Sequence, residues 1–99
     1  MKITFAASAV RDMEGLLNWY AEQSAPEVGH RFVEEIFGQV ERLASHPQSG
    51  RIVPEFDQPF LRELIHPPFR IVYKLEREKV RVVRIWRSER RLRIPTTEE

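Results

Sequence analysis

The chain has 99 residues, no cysteine, 16 Lys/Arg against 15 Asp/Glu, and a formal net charge of +1. That length makes one domain, 1–99, with a modest core. The lack of cysteine excludes disulfides, thiolate catalysis and thiolate metal sites, and it fits a reducing cytoplasm; no apolar run approaches the roughly 20 residues of a membrane helix, so no membrane association is expected.

Met1-Lys2 followed by the apolar Ile3 to Val10 has the look of a short signal peptide. The run stops at Arg11-Asp12, and it reads better as a strand, Lys2–Phe5, entering a helix. Ser8 is placed to cap that helix, which runs to about Gln23. Its apolar stripe is Val10, Met13, Leu16, Leu17 and Tyr20, a helical period. Ser24 and Glu27 have capping-box spacing, and Pro26 is tolerated in a first turn, so a second helix starts there. It carries Phe32, Val33, Ile36, Phe37, Val40, Leu43 and Ala44, and ends at His46-Pro47 and Gly50. The short break makes the pair an antiparallel hairpin.

From Gly50 the period changes. Phe60–Ile65 is strand-like. In Phe69–Leu75 the residues Phe69, Ile71, Tyr73 and Leu75 alternate onto one face. Glu76 to Lys79 is a polar turn, and Val80–Trp86 is a further strand. Arg81, Arg84, Arg87 and Arg90 recur every third residue, which would suit a helix face. The intervening Val80, Val82, Val83 and Ile85 favour strand. The segment after Arg87 stays open between extended and helical. The order β-α-α-β-β-β predicts an α+β fold: an N-terminal strand, then a two-helix antiparallel hairpin packed on one face of a small, mainly antiparallel sheet. The opposite face is expected to be at least partly open and to carry Arg70.

Charge is distributed unevenly. Residues 51–99 hold 12 Lys/Arg and 8 Asp/Glu, and residues 1–50 hold 4 and 7. The basic half suits an anionic partner, since arginine presents a rigid fork to phosphate or carboxylate. Arg51, Arg62, Arg70, Arg87 and Arg90 are the candidate cations. Glu55 and Glu63 are either general bases or ion-pair partners of neighbouring arginines. Trp19, Tyr20 and Trp86 could stack bases or fill the core. His30, His46 and His66 lack metal-ligand spacing, and there is no phosphate-cradling glycine loop, so neither metal nor cofactor is expected.

Three segments carry a resemblance: Gly50-Arg51-Ile52-Val53-Pro54-Glu55-Phe56, Leu61-Arg62-Glu63-Leu64 and Phe69-Arg70-Ile71-Val72-Tyr73. Together with the helical hairpin and the Pro47-Gln48-Ser49-Gly50-Arg51 turn, they resemble the RelE/ParE toxin superfamily of bacterial type II toxin–antitoxin systems. Phe69 stands where the family pattern has Tyr, and Arg87 where many members have His. The resemblance implies a growth-inhibiting cytoplasmic toxin in a hetero-oligomer with a cognate antitoxin. RelE-like members cut messenger RNA on the ribosome; ParE-like members poison DNA gyrase and cut nothing. RNA cleavage needs a base, an acid and cations. After Tyr73 this chain has neither His nor Tyr, and arginine is a poor proton shuttle. The ParE-like branch is therefore favoured, with DNA gyrase as target, no catalytic residue, and Arg51, Arg70, Trp86, Arg87, Arg90 and Arg91 as target- or antitoxin-binding residues. The alternative is a metal-independent, ribosome-dependent endoribonuclease using Arg51, Glu55 and Arg70.

Overall fold

The fold is that of a computed structural model, which describes residues 1–88. Strand β1 (Lys2–Phe5) leads into helix α1 (Ala7–Glu22) and helix α2 (Pro26–Glu41), and a single 3₁₀ turn spans Arg42–Ala44. Strands β2 (Arg51–Ile52), β3 (Leu61–His66), β4 (Phe69–Glu76) and β5 (Lys79–Arg87) follow. The sheet order is β1-β5-β4-β3-β2. β1 runs parallel to β5, and the other pairs are antiparallel. This is the α+β arrangement expected, with a two-residue strand, β2, that periodicity is too short to reveal. Residues 89–99, including Arg90 and Arg91, lie outside the described part.

The helices form where expected, but not through the expected caps. Ala6 occupies the N-cap of α1 and no side chain caps it. Ser8 lies inside the first turn, buried, and its Oγ donates to the Val83 carbonyl at 2.7 Å. The hydroxyl joins helix to strand instead of closing the helix end. At α2 the N-cap is Ala25, again without a side-chain bond, and Pro26 opens the helix. Ser24 has φ 59°, a left-handed turn residue that cannot also act as the cap. α2 stops at Glu41, earlier than its apolar pattern suggests, because Leu43 continues inward from the 3₁₀ turn.

The α1 stripe holds at Met13 and Leu16, with Tyr20 packed against the core, and departs from the expectation at its start. Ala9, Met13 and Leu16 are buried while Val10 faces out. From α2, Ile36 and Val40 meet Phe69, Ile71, Tyr73, Val80, Val82 and Ile85 of the sheet. Gly29 sets how close the helices come: a Cβ there would stand 3.1 Å from Tyr20 Cβ.

The opposite face of the sheet is partly covered. Ala6, Val53, Leu61, Val72 and Val83 form a second apolar cluster beneath the segment between β2 and β3. Val83 reaches it because the β4–β5 register slips there: Val72 pairs with Arg84 and Tyr73 with Val82, leaving Val83 as the extra residue of a bulge.

Tyr73 anchors the turn before β2. Its Oη accepts from Gly50 N at 2.9 Å and donates to the Pro47 carbonyl at 2.8 Å. Burial pushes the phenol above its ordinary range, so it stays neutral. A Cβ on Gly50 would stand 2.5 Å from this hydroxyl and 2.6 Å from the Glu63 carbonyl. Gly50→Ala is therefore expected to lower stability by roughly 1–3 kcal/mol in chemical denaturation. Tyr73→Phe, which strands the Gly50 N–H, is expected to cost about as much. Gly38→Ala on α2, where a Cβ meets nothing within 4 Å, is expected to raise stability by about 0.5–1 kcal/mol.

Candidate functional site

Two places collect the predicted residues. The first lies on the far face of the sheet, where β2, β3 and β4 run side by side. Arg51 pairs in register with Glu63, and Glu63 with Val72. Arg70 sits diagonally across from Glu63, within reach of a long side chain. The segment after β2 folds back on itself through Phe56 N and Asp57 N, both donating to the Val53 carbonyl. That turn brings Glu55 over the sheet.

The result is an alternating chain of charges. Arg51 Nε donates to Glu63 Oε2 at 2.6 Å. Arg70 Nε donates to Glu63 Oε1, also at 2.6 Å. The two terminal nitrogens of Arg70 fork onto Glu55, at 2.7 Å to Oε2 and 2.8 Å to Oε1. The Glu63 side chain is 0% exposed and that of Arg70 8%, while Glu55 is 43% and Arg51 58% exposed. Two guanidiniums face two carboxylates, so the group is electrically balanced. The hydrogen bond from Arg70 holds Glu55 at about 2, below its ordinary 4.5, against the opposing effect of partial burial. In turn, Glu55 first and Glu63 second push Arg70 further above its ordinary range.

The far face carries Arg70, as expected, but does not leave it exposed. Arg70 does point away from the helices, but it is buried, and all three of its nitrogens meet carboxylates. A buried guanidinium needs that balance, because an unpaired charge there costs several kcal/mol. Arg62 is also occupied. It faces the helix side of the sheet and donates to the carbonyls of Pro59, Gln48 and Gly50 at 2.9, 3.3 and 3.0 Å.

The second place is a groove of about 610 Å³ between α1 and the ends of β4 and β5. It holds Trp86 and Arg87 together with Arg84, which sequence reasoning did not single out as a functional residue. Arg84 reaches around the sheet edge to Asp12 on α1, at 2.7 Å to Oδ2 and 2.9 Å to Oδ1. Asp12 Oδ2 also accepts from Ile85 N at 2.9 Å. The carboxylate thereby serves part of the edge that β1 leaves uncovered. The Arg84 guanidinium lies 4.0 Å from the Trp86 ring centre, a cation–π stack. Arg87 lies 5.6 Å from the rings of both Trp19 and Phe69. In the sequence Asp12 lies off the apolar stripe of α1, and nothing local names a partner 72 residues away. Arg90 and Arg91 follow β5 in sequence, outside the described residues. Among the described residues no group of three His, Cys, Asp or Glu side chains is placed to hold a metal ion, and no helix is long and apolar enough to cross a membrane.

These pairs make stability depend on pH with a defined sign. Because Glu55 is held below its ordinary 4.5, the pair contributes fully above about pH 4.5 and loses its contribution as pH falls toward about 2. With Glu55 exposed to solvent, the amount is on the order of 1 kcal/mol. Acid titration of the unfolding free energy should show this loss in the native chain and less of it in Glu55→Gln. Glu63→Gln, which leaves Arg70 buried and short of a counter-charge, is expected to cost roughly 3–5 kcal/mol at neutral pH.

The comparisons with known proteins agree with this architecture. Among solved structures, the chain is similar to one described as "Chromosomal ParDE TA system from P. aeruginosa", with a TM-score of 0.76 and 24% identity. That match covers 90% of this chain and 97% of the other, and it establishes a shared fold. No curated protein matches. The sequence profile described as "ParE toxin of type II toxin-antitoxin system, parDE" matches residues 3–92. With nearly the whole length matched, the chain belongs to the ParE toxin family of type II toxin–antitoxin systems.

Proposed function

We propose that this toxin, acting as one domain over residues 1–99 in the cytoplasm, inhibits growth by binding DNA gyrase without catalysing a reaction itself, and that a cognate antitoxin neutralises it. The observation that carries this reading is the state of Arg70. In an RNA-cutting relative the corresponding arginine would face the scissile phosphate. Here its three nitrogens donate to Glu55 and Glu63 at 2.6–2.8 Å. Glu55, the base of the nuclease alternative, is held at about 2 by the same contact. A carboxylate that acidic is a weak base, and a guanidinium is no acid at neutral pH. An inhibitor that traps another enzyme's intermediate needs only a recognition surface.

That surface is assigned to Arg51, Trp86, Arg87, Arg90 and Arg91. Arg51 is the exposed end of the charge chain. Trp86 and Arg87 line the groove, and Trp and Arg are the residue types that dominate protein interfaces. Arg70 is reassigned to supporting Arg51 through the shared Glu63. The antitoxin fits as a segment that brings carboxylates to these arginines and apolar anchors to the groove, folding as it binds.

Purified toxin is expected to block supercoiling by gyrase and to accumulate cleaved DNA, with ribosome-bound message left intact. Replacing Arg87, Arg90 and Arg91 together by Ala should abolish the inhibition while the far-UV circular dichroism and unfolding midpoint stay near native values. Arg70→Ala should act mainly through stability, with activity following the folded fraction. Cleaved message alongside normal supercoiling would refute the proposal and return Arg51, Glu55 and Arg70 to catalytic roles.

A further inference from the structure

The two outer edges of the sheet are not alike. At one end stands β2, two residues long and followed at once by the turn that carries Glu55. At the other stands β1, a regular strand of four residues, Lys2–Phe5. Backbone groups alternate in direction along a strand, and the contacts with β5 fix which way each residue of β1 points. Lys2 N donates to the Glu78 carbonyl at 3.4 Å and Ala6 N to the Val82 carbonyl at 2.9 Å, so Lys2, Thr4 and Ala6 face inward. Ile3 and Phe5 direct their N–H and C=O groups outward, and among the described residues these groups have no partner.

Sheets guard such edges with prolines, bulges or charges. β1 has no proline and a single charge, Lys2 at its start, and its register on β5 is unbroken. On the helix side the edge is flanked by an exposed ring. Phe37 of α2 is 41% exposed and packs against Phe5, with ring centres 5.4 Å apart and an interplanar angle of 63°. On the far side, Thr4 carries a hydroxyl that is buried and has no hydrogen-bond partner among the described residues. The backbone edge, the ring beside it and the hydroxyl all gain partners when an antiparallel strand is added.

We propose that this strand is β1 of a second copy of the chain, running antiparallel about a two-fold axis at Thr4. The outward pattern is its own complement. Centring the axis on Thr4 sets Ile3 of each copy opposite Phe5 of the other, and each such pair exchanges both of its N–H···O bonds. Centring it on Ile3 or on Phe5 sets one of the two outward residues against chain beyond the strand. In the Thr4 register, Ile3 of one copy and Phe5 of the other share the helix-side face, so Phe37 of each copy covers part of the junction. The two Thr4 side chains meet at the axis as a non-hydrogen-bonded pair, with about 4.5–5.5 Å between Cβ atoms. Rotation about Cα–Cβ there lets one hydroxyl donate to the other. The two Lys2 side chains stand at opposite ends of the junction, so like charges do not oppose. A strand pair and two rings make a small contact, which gives a weak, concentration-dependent dimer and not an obligate one. It requires neither gyrase nor antitoxin.

The test is sedimentation velocity of the purified full chain over a wide range of concentration. The mass should rise from 11.8 kDa toward twice that value. Cross-linking reads the geometry. The chain has no cysteine, so Thr4→Cys and Lys2→Cys each introduce a single thiol. Under mild oxidation Thr4→Cys should form a disulfide-linked dimer faster than Lys2→Cys, although Lys2 is the more exposed position, because only thiols at the axis lie within bridging distance. Phe37→Lys, at an exposed position of α2, should keep the native circular dichroism and weaken self-association several-fold. A chain that stays monomeric at every concentration overturns the proposal and leaves the edge to a strand from a different protein. Linkage of Lys2→Cys as fast as that of Thr4→Cys overturns it too, as does a folded Phe37→Lys that self-associates like the native chain.

Discussion

A carboxylate sealed from water, Glu63, is the fixed point on which the far side of the sheet depends. Each of its oxygens accepts from a different arginine, Arg51 and Arg70, at 2.6 Å. The first bond ties β2 to β3, and the second ties β3 to β4. Because Arg70 then forks onto Glu55, the turn after β2 is held down as well. A buried ion chain of this kind adds little stability over an apolar core of the same shape, but it punishes the loss of one member heavily. Its bonds join the observed register of β2 on β3 to the position of the Glu55 turn.

The same contacts define what the face can do. Charge counting gives the second half of the chain a clear positive excess, and it is natural to picture an open arginine surface there. Pairing removes much of that picture. Arg70 is neutralised by two acids, Arg62 is spent on backbone carbonyls, and Arg84 is clamped by Asp12. What persists includes Arg51, exposed at the end of the chain of charges. A mechanism that demands a bare guanidinium beside a proton-shuttling carboxylate is poorly served.

The sequence made the elements readable because each is long enough to show its period. Phe69, Ile71 and Tyr73 alternate into the core as β4 demands, and Met13 and Leu16 mark the inner face of α1. It misled wherever a polar side chain serves a distant partner instead of a local one. Ser8 reads as a cap from its neighbours alone, yet its hydroxyl bonds to a strand carbonyl 75 residues on. Arg70 could be placed on the correct face by alternation, but its pairing with Glu55 depends on how a non-periodic turn folds. Strand β2 has two residues and no period at all. The family resemblance helped because its motif includes the non-periodic points Gly50 and Arg51 as well as Glu63 and Arg70 on the strands beside them.

The central claim is that Arg70 is a structural cation whose charge is not used on a target. The most direct measurement replaces Arg70 together with its forked partner, as Arg70→Met with Glu55→Gln, which removes one charge of each sign and leaves Arg51 paired with Glu63, and scores growth arrest on induced expression beside the unfolding midpoint of the purified variant. Exchanges of this kind preserve folding in other buried ion clusters. The account predicts a folded protein that still arrests growth. A variant that folds as stably as the native chain but is harmless would contradict it, because only the lost charge could then explain the lost toxicity.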